Sequence, residues 1–286
     1  MPRMHRSLKL GSIIILGLWL SAILSCASPS PAAGQANGDS DGQTLVFLLL
    51  GQSNMEGKPK PQAEDLKKDA RIQVLAYQDN AAQGRTYNKW YTASPPLHSS
   101  WAGLGPGDYF AKTLIDALPE NYSIGLVPCG ISGVDIDFFR KGVVSSRRNE
   151  FSIPPDNSWD GAYEWVLQRA RLAQEKGRIA GVLLHQGESD AGQSVWLDKV
   201  KEIMTDLRSD LDIPDLPLLV GELYYDGPCA GHNGVIAKIP SKIDNAYVVS
   251  AKGLKGLDQF HFDLDGQREL GRRFAEAMIP LLELEP

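Results

Sequence analysis

The stretch Leu45-Val46-Phe47-Leu48-Leu49-Leu50, followed by Gly51-Gln52-Ser53-Asn54-Met55-Glu56-Gly57, decides the fold. Its apolar residues are continuous rather than alternating, which is typical of a parallel strand covered by helices on both faces. The strand is predicted to end at Gly51, and Ser53 follows on a glycine-flanked turn. We therefore expect the Ser53 hydroxyl to lie at the carboxyl end of a buried strand, where the turn exposes it and fixes its direction. The alternative role for a serine at this place is a helix N-cap.

Further apolar runs along the chain are strand candidates, and amphipathic stretches separate them. The runs are Ile124–Val127, Ala180–Leu184, Leu216–Val220 and Ala246–Val249, and the predicted helices cover residues 108–118, 159–176, 193–211 and 265–282. This alternation predicts an α/β fold of three layers (α/β/α) with a central, mainly parallel sheet and ligands at the carboxyl ends of its strands. Segments 77–107 and 138–158 are too irregular for this scheme, and we expect them to be loops that wall a site.

Length and composition fit one globular domain. The 286 residues are 43% hydrophobic and 22% charged, which excludes a disordered, collagen-like or coiled-coil chain. No internal repeat or second core is evident, so a single domain is predicted over residues 45–286. The formal net charge of −6 argues against a nucleic-acid partner, because an acidic surface repels phosphates.

The first residues resemble a secretion signal. Basic residues at positions 3, 6 and 9 precede the apolar run 10–24, which is shorter than the roughly 18–20 residues of a membrane-spanning helix. Because Ile23-Leu24-Ser25-Cys26 resembles a bacterial lipobox, residues 1–25 are predicted to be a lipoprotein-type signal peptide. Cys26 is then the lipidated first residue of an exported, membrane-anchored chain. The alternative is a plain signal peptide cut nearby, which leaves Cys26 as an incidental thiol and the product periplasmic or secreted.

Residues 26–44 are predicted to be a flexible linker, since the stretch after Cys26 holds no large apolar residue to bury. If Cys26 carries lipid, Cys129 and Cys229 are left as an even pair in an oxidising compartment. A disulfide between them is allowed, and the sequence leaves it open.

Two polar clusters complete a candidate catalytic site. His185-Gln186-Gly187-Glu188-Ser189-Asp190 comes straight after a predicted strand, and Asp258-Gln259-Phe260-His261 precedes the last helix, for which Asp263 and Asp265 are N-cap candidates. An Asp and a His three residues apart can face the same way. The carboxylate then holds the Nδ1 proton and leaves Nε2 free to accept the proton of Ser53. Purely structural roles for Asp258 and His261 are the alternative.

Metal and phosphate chemistry receive less support. The potential metal ligands are His185, Glu188, His232, Asp258 and His261, but the chain has no His-Glu-x-x-His and no paired-cysteine spacing. A metal-dependent hydrolase therefore stays only as an alternative. The chain also lacks Gly-x-x-x-x-Gly-Lys, and no Gly-x-Gly-x-x-Gly follows a strand, which argues against kinases, NTPases and dehydrogenases.

Several sequence blocks resemble, in order and spacing, those of the sialate O-acetylesterase-like group of SGNH (GDSL-type) hydrolases. This group includes the acetyl xylan esterases of carbohydrate esterase family six. The blocks are Gly51–Met55, Gly130-Ile131-Ser132-Gly133, His185–Asp190 and Asp258–His261. The resemblance covers about residues 45 to 275 and implies an SGNH-type esterase domain.

The resemblance implies a role for each block. Ser53 is identified as the nucleophile, His261 as the general base and Asp258 as the residue that orients it. The oxyanion hole is expected to consist of the backbone N–H groups of Ser53 and Gly133 and the side-chain amide of Gln186.

Glu188 is the rival of Asp258, because a glutamate at the matching position is an alternative acid in this family. Asp258 is favoured, since a neighbour three residues from His261 is positioned by the same turn. The choice between the two carboxylates stays open at this point.

The expected activity is a carbohydrate O-acetylesterase that acts without a cofactor through an acyl-enzyme. Its substrate would be a glycan such as acetylated xylan or O-acetyl sialic acid, and a lipid anchor would be its one membrane contact. The aromatic residues Trp90, Tyr91, Trp101 and Tyr109 are candidates for stacking on sugar rings, with core packing as the alternative role. A non-catalytic glycan-binding lipoprotein is the rival function. Oligomeric state is not predicted.

Overall fold

The computed structural model describes residues 43–144 and 147–284. These residues fall in one compact unit. The predicted signal peptide, Cys26 and the linker up to residue 42 lie outside the described residues, whereas Gln43 and Thr44, expected to end the linker, begin the first strand. Within the described ranges, no helix is long and apolar enough to cross a membrane.

Strands and helices alternate along the chain, as predicted. The strands are β1 (Gln43–Gly51), β2 (Ile72–Leu75), β3 (Trp90–Thr92), β4 (Tyr122–Gly130), β5 (Arg178–His185), β6 (Leu218–Gly221) and β7 (Ala246–Val249). The α-helices are α1 (Ser53–Glu56), α2 (Pro106–Ala117), α3 (Tyr163–Gln174), α4 (Trp196–Leu211), α5 (Asn233–Ile236) and α6 (Leu264–Met278). The predicted strands correspond to β1, β4, β5, β6 and β7, and the predicted helices to α2, α3, α4 and α6.

The strands form one sheet in the order β3-β2-β4-β1-β5-β6-β7. Only the edge strand β3 runs antiparallel to its neighbour, so the predicted mainly parallel sheet is confirmed. The expectation that segment 77–107 is entirely loop is wrong, because β3 lies within it. A strand of three residues is too short for its hydrophobic period to be recognised.

Both faces of β1 are buried, and its side chains alternate between two cores. On one face the strand packs against residues of α3 and α4, and on the other against residues of α2 and α6. The first face carries Val46, Leu48 and Leu50, and the second carries Leu45, Phe47 and Leu49. A strand covered by helices on both faces explains the continuous apolar run and confirms the three-layer architecture.

The carboxyl end of β1 brings distant segments of the chain together. Gly51 pairs with Gly130 of β4 on one side and with His185 of β5 on the other. The backbone of Gly51 has φ +140°, and a Cβ there would lie 2.1 Å from the carbonyl oxygen of His185. Only glycine fits this position, and the close approach places the segments that follow β1, β4 and β5 at one edge of the sheet.

The last helix fixes the segment that carries His261. Asp263 is the N-cap of α6, and its Oδ1 accepts a hydrogen bond of 2.7 Å from the backbone N–H of Gly266, as predicted for one of the two candidates. Further along, a Cβ on Gly271 would lie 2.4 Å from the carbonyl oxygen of Pro106. The missing side chain therefore lets α6 pack closely against α2.

Candidate active site

Ser53 is the first residue of α1, directly after the tight turn at Gly51. Its side chain points to His261, and the Oγ lies 2.9 Å from Nε2 of the imidazole. The N-cap of α1 is Gln52, so the structure does not place Ser53 in the alternative capping role. A serine hydroxyl in contact with an imidazole nitrogen has the geometry of a nucleophile and its base.

Asp258 holds the other side of the His261 ring. Its Oδ2 and Oδ1 lie 2.8 and 3.0 Å from Nδ1, and Oδ1 accepts further bonds of 2.8 Å from the backbone N–H groups of Phe260 and His261. Partial desolvation acts to raise the pKa of this carboxyl, but the bonds from the ring and the backbone outweigh it and lower the pKa to about 2. A charged carboxylate therefore fixes the orientation of His261.

Glu188, the rival acid, lies elsewhere in the site. Its Oε1 accepts a hydrogen bond of 2.7 Å from Nδ2 of Asn54 and lies 3.8 Å from Nδ1 of His185. In the part of the chain that the structure describes, Glu188 makes no hydrogen bond to His261. The structure thus places Asp258, not Glu188, beside the imidazole.

Asn54 joins the serine turn to the histidine loop. This fully buried side chain donates from Nδ2 to Glu188 and, over 3.0 Å, to the carbonyl oxygen of Phe260. Its Oδ1 accepts from the backbone N–H of Phe262 and from Nε2 of Gln267, over 3.2 and 3.3 Å. Asn54 has no role predicted from the sequence, although its position next to Ser53 in the first block was the available signal.

The two backbone donors expected for the oxyanion hole remain available. Among the described residues, no hydrogen bond engages the backbone N–H of Ser53 or of Gly133. Gly133 has φ +78°, a conformation that favours glycine, and its carbonyl oxygen accepts a bond of 3.0 Å from Oγ of Ser189. This bond fixes the loop after β4 to the loop after β5. The backbone N–H of Gly133 makes no hydrogen bond to the described residues.

Gln186 is placed differently from the expectation. The side chain is fully buried, and its Nε2 lies 2.6 Å from Oδ2 of Asp190 and 3.2 Å from both the Val134 carbonyl oxygen and Oε1 of Gln52. Its Oε1 accepts from Nε1 of Trp196. In this structure both amide hydrogens of Gln186 are engaged inside the protein, and its assignment as an oxyanion donor stays a prediction.

Gln52 presents an amide in the neighbourhood of Ser53 instead. Its Oε1 accepts from Nε2 of Gln186 and from the backbone N–H groups of Gly187 and Ser189, over 3.2, 3.4 and 3.4 Å. These donors fix which end of the amide is oxygen. Its Nε2 has no partner among the described residues and is not among the fully buried polar atoms. Gln52 is not among the site residues predicted from the sequence, although it immediately precedes Ser53.

Among the described residues, the cysteines form no disulfide and the alternative metal ligands form no metal site. Cys129 and Cys229 are both free thiols, and burial raises the pKa of Cys129 to about 11. No group of three or more His, Cys, Asp or Glu residues within 43–144 and 147–284 is arranged to hold a metal ion. The disulfide left open by the sequence is therefore not formed in this structure.

The sheet order, the helices on both faces and the serine turn after β1 define an α/β protein of the SGNH-hydrolase type. A family model described as "Carbohydrate esterase, sialic acid-specific acetylesterase" matches residues 43–280. The chain belongs to this family of carbohydrate esterases, which confirms the resemblance found in the sequence.

Solved structures share the fold over most of the chain. A protein from Arabidopsis thaliana is 26% identical with a TM-score of 0.67, covering 84% of this chain and 98% of that one. NanS is 20% identical with a TM-score of 0.65, covering 83% of this chain and 97% of its own. A carbohydrate acetylesterase from Xanthomonas citri is 20% identical with a TM-score of 0.58, and the match covers 81% of this chain but only 55% of that longer protein.

Proposed function

We propose that this carbohydrate esterase is a serine O-acetylesterase that removes acetyl groups from sugar hydroxyls through an acyl-enzyme. The observation that supports it is one continuous chain of contacts. The Oγ of Ser53 lies 2.9 Å from Nε2 of His261, and Nδ1 of the same ring lies 2.8 Å from Oδ2 of Asp258. These contacts are the ones that a serine nucleophile, its base and an orienting acid make with one another, and they support the proposal.

The first half of the reaction transfers the acetyl group to the enzyme. Ser53 Oγ attacks the ester carbonyl carbon while His261 Nε2 takes the hydroxyl proton, which gives a tetrahedral oxyanion. Collapse of this species breaks the bond to the sugar oxygen, and His261 returns the proton to that oxygen. Asp258 stays ionised and stabilises the imidazolium that forms between these steps.

The second half regenerates the enzyme. A water molecule gives a proton to His261 and attacks the acetyl-serine, and acetate leaves as Ser53 recovers its proton. In both halves the negative charge develops on the former carbonyl oxygen. We assign its donors to the backbone N–H groups of Ser53 and Gly133 and to Nε2 of Gln52, in place of Gln186.

The substrate class follows from the family rather than from the triad. Its description names a sialic acid-specific acetylesterase, and the related structure from Xanthomonas citri is a carbohydrate acetylesterase. We therefore propose an O-acetylated glycan, with acetylated xylan and O-acetyl sialic acid as the two candidates. Such an ester needs no cofactor for hydrolysis, because the serine supplies the nucleophile.

The deciding experiment measures acetate release from acetylated xylan, acetylated pectin and O-acetyl sialosides by the purified protein and its Ser53→Ala variant. Release by the parent protein alone supports the serine mechanism and identifies the substrate class. Equal rates in both proteins would remove Ser53 as nucleophile, and loss of activity on chelation would then favour a metal-dependent hydrolase. No release from a folded protein that still binds the glycan would favour the non-catalytic rival.

We also propose export and lipid anchoring, based on the basic start of the chain, the apolar run 10–24 and Cys26. Incorporation of radiolabelled palmitate and recovery in the membrane fraction, both lost in the Cys26→Ala variant, are the expected results. Export without label would instead support the plain signal peptide.

A further inference from the structure

Asp190 is a buried carboxylate to which the proposed reaction assigns no role. It exposes 1% of its surface and ends the short 3₁₀ helix Glu188–Asp190 after β5. Two nearby carboxylates, Asp135 and Asp137, form ion pairs, whereas within residues 43–144 and 147–284 no Lys or Arg pairs with Asp190. Burial raises the pKa of its carboxyl. An unpaired buried carboxylate lowers stability, and such groups are common where an active site needs them.

The first contact of Asp190 orients the side chain of Gln186. Oδ2 of Asp190 accepts a hydrogen bond of 2.6 Å from Nε2 of Gln186, and at the other end of this amide Nε1 of Trp196 donates to Oε1. A flipped amide would place its nitrogen against the indole N–H and its oxygen against the carboxylate. Asp190 and Trp196 together therefore fix which end of the Gln186 amide is the donor.

The orientation of Gln186 is passed on to Gln52, the residue directly before Ser53. Nε2 of Gln186 donates to Oε1 of Gln52 over 3.2 Å, and the backbone N–H of Gly187 points to the same oxygen over 3.4 Å. Since donors surround this oxygen, the nitrogen of the Gln52 amide is the end left free. The direction of that amide thus depends on a hydrogen-bond chain that begins at Asp190.

The second contact of Asp190 holds the loop after β4. The backbone N–H of Ile136 donates to the same Oδ2 atom over 2.9 Å. Three residues earlier, the carbonyl oxygen of Gly133 accepts from Oγ of Ser189, the neighbour of Asp190, over 3.0 Å. Both ends of the segment 133–136 are therefore attached to the same short helix, and this segment carries the Gly133 N–H that we assign to the oxyanion hole.

We infer that Asp190 is a positioning residue for the oxyanion hole, because one of its oxygens fixes both the Gln186 amide and the segment that carries Gly133. The inference rests on the proposed function and adds to it a residue that does not touch the substrate. Both bonds go to Oδ2, so a neutral acceptor at this place can do the same. Oxyanion donors act through preorganisation, and a displacement of about 1 Å can lower the rate about 10²-fold.

The test measures kcat and KM for p-nitrophenyl acetate and the inhibition constant of methylboronic acid, whose tetrahedral adduct with a serine oxygen mimics the transition state. Asp190→Ala should lower kcat about 10- to 100-fold with little change in KM and raise the inhibition constant similarly. Asp190→Asn keeps the one oxygen that both bonds use and should retain most of the activity. Asp137→Ala is the matched control, because it removes a carboxylate of the neighbouring helix Ile136–Phe139 that binds only Lys199 and Arg140. It should keep the wild-type kcat.

Urea unfolding of each variant measures how much of the protein is folded. If Asp190→Ala does not fold, Asp190→Leu takes its place, since leucine has a similar shape and no acceptor.

Three results would overturn the inference. The first is a wild-type kcat in Asp190→Ala, and the second is an equal loss in Asp190→Asn, which would assign the effect to charge instead of position. The third is a lower kcat with an unchanged inhibition constant, which reports fewer folded molecules and an intact oxyanion hole. Ser53→Ala separates the two proposals: if it is as active as the wild type, the proposed function fails and this inference with it, as also when the wild type hydrolyses no ester. An inactive Ser53→Ala beside a fully active Asp190→Ala refutes the positioning role alone.

Discussion

The Oγ of Ser53 lies 2.9 Å from Nε2 of His261, although 208 residues separate the two along the chain. Two local structural features produce this contact. The glycine turn after β1 presents the serine, and the Asp258 carboxylate holds the histidine through Nδ1 and through two backbone N–H groups of its own loop. The imidazole can therefore accept a proton at Nε2 only while Asp258 keeps Nδ1 protonated.

Asp258→Asn is expected to lower kcat about 10³- to 10⁴-fold, because an amide favours the wrong tautomer of His261. The Asp258 side chain is half exposed, so the fold should stay intact. Glu188→Gln is the matched control, since its remaining oxygen can still accept from Asn54. Steady-state kinetics on an acetyl ester measures both variants. A larger loss in the Glu188 variant than in the Asp258 variant would return Glu188 to the role of orienting acid.

Asn54→Ala is expected to lower the free energy of unfolding by about 3 kcal/mol, because it leaves the buried Glu188 carboxylate and the Phe260 carbonyl without their donor. The same change releases the loop that carries His261, so kcat should fall as well. Urea unfolding and kinetics measure the two effects. Asn121→Ala, at an exposed asparagine, is the control. If the Asn54 variant has the urea midpoint and the kcat of the wild type, Asn54 does not hold the serine turn and the His261 loop together.

The sequence predicts the fold well where hydrophobic runs are long. The run at residues 45–50 is continuous because both faces of the strand are covered, and such a long apolar run can be recognised in the sequence. β2 and β3 span only four and three residues, and they become strands through pairing with neighbours that the sequence does not reveal. Tertiary context, not local propensity, decides such short strands.

The candidate active site, like the fold, is only partly predictable from the sequence. Ser53, Asp258 and His261 are predictable because each follows a strand or precedes a helix in a polar block. The roles of Gln52 and Gln186 are not, since both are amides of the same chemistry. What separates them is packing: Asp190 and Trp196 hold the Gln186 amide inside the protein, and only the folded arrangement shows which amide keeps a free donor.

Gln52→Glu is expected to lower kcat about 10²- to 10³-fold with little change in KM, because the substitution keeps the accepting oxygen and removes the donor from the oxyanion hole. The folded state should survive, since Gly187, Ser189 and Gln186 retain their acceptor. Gln193→Glu, at an exposed position, is the control for the added charge. If the Gln52 variant turns over an acetyl ester at the wild-type rate, the third donor must lie elsewhere.

We expect Asp108 to make the stability of the fold depend on pH. The residue is buried in the first turn of α2, its Oδ2 has no partner, and burial raises the pKa of its carboxyl to about 7. The unfolded chain releases this proton near pH 4. Between about pH 4 and 7 the folded state therefore holds more protons than the unfolded state, so this group lowers the free energy of unfolding as the pH rises.

Asp108→Asn removes that titration and keeps the shape of the side chain. Relative to the wild type, the variant should gain stability from pH 4 to 7 and show a constant difference above about pH 7. Urea unfolding at pH 5, 6, 7 and 8 measures this difference. Asp116→Asn, at an exposed position on the same helix, should show no such trend. A difference that is constant across the whole range would mean that Asp108 is already ionised in the folded protein at pH 5, with a charge partner stronger than Lys112 and Arg85.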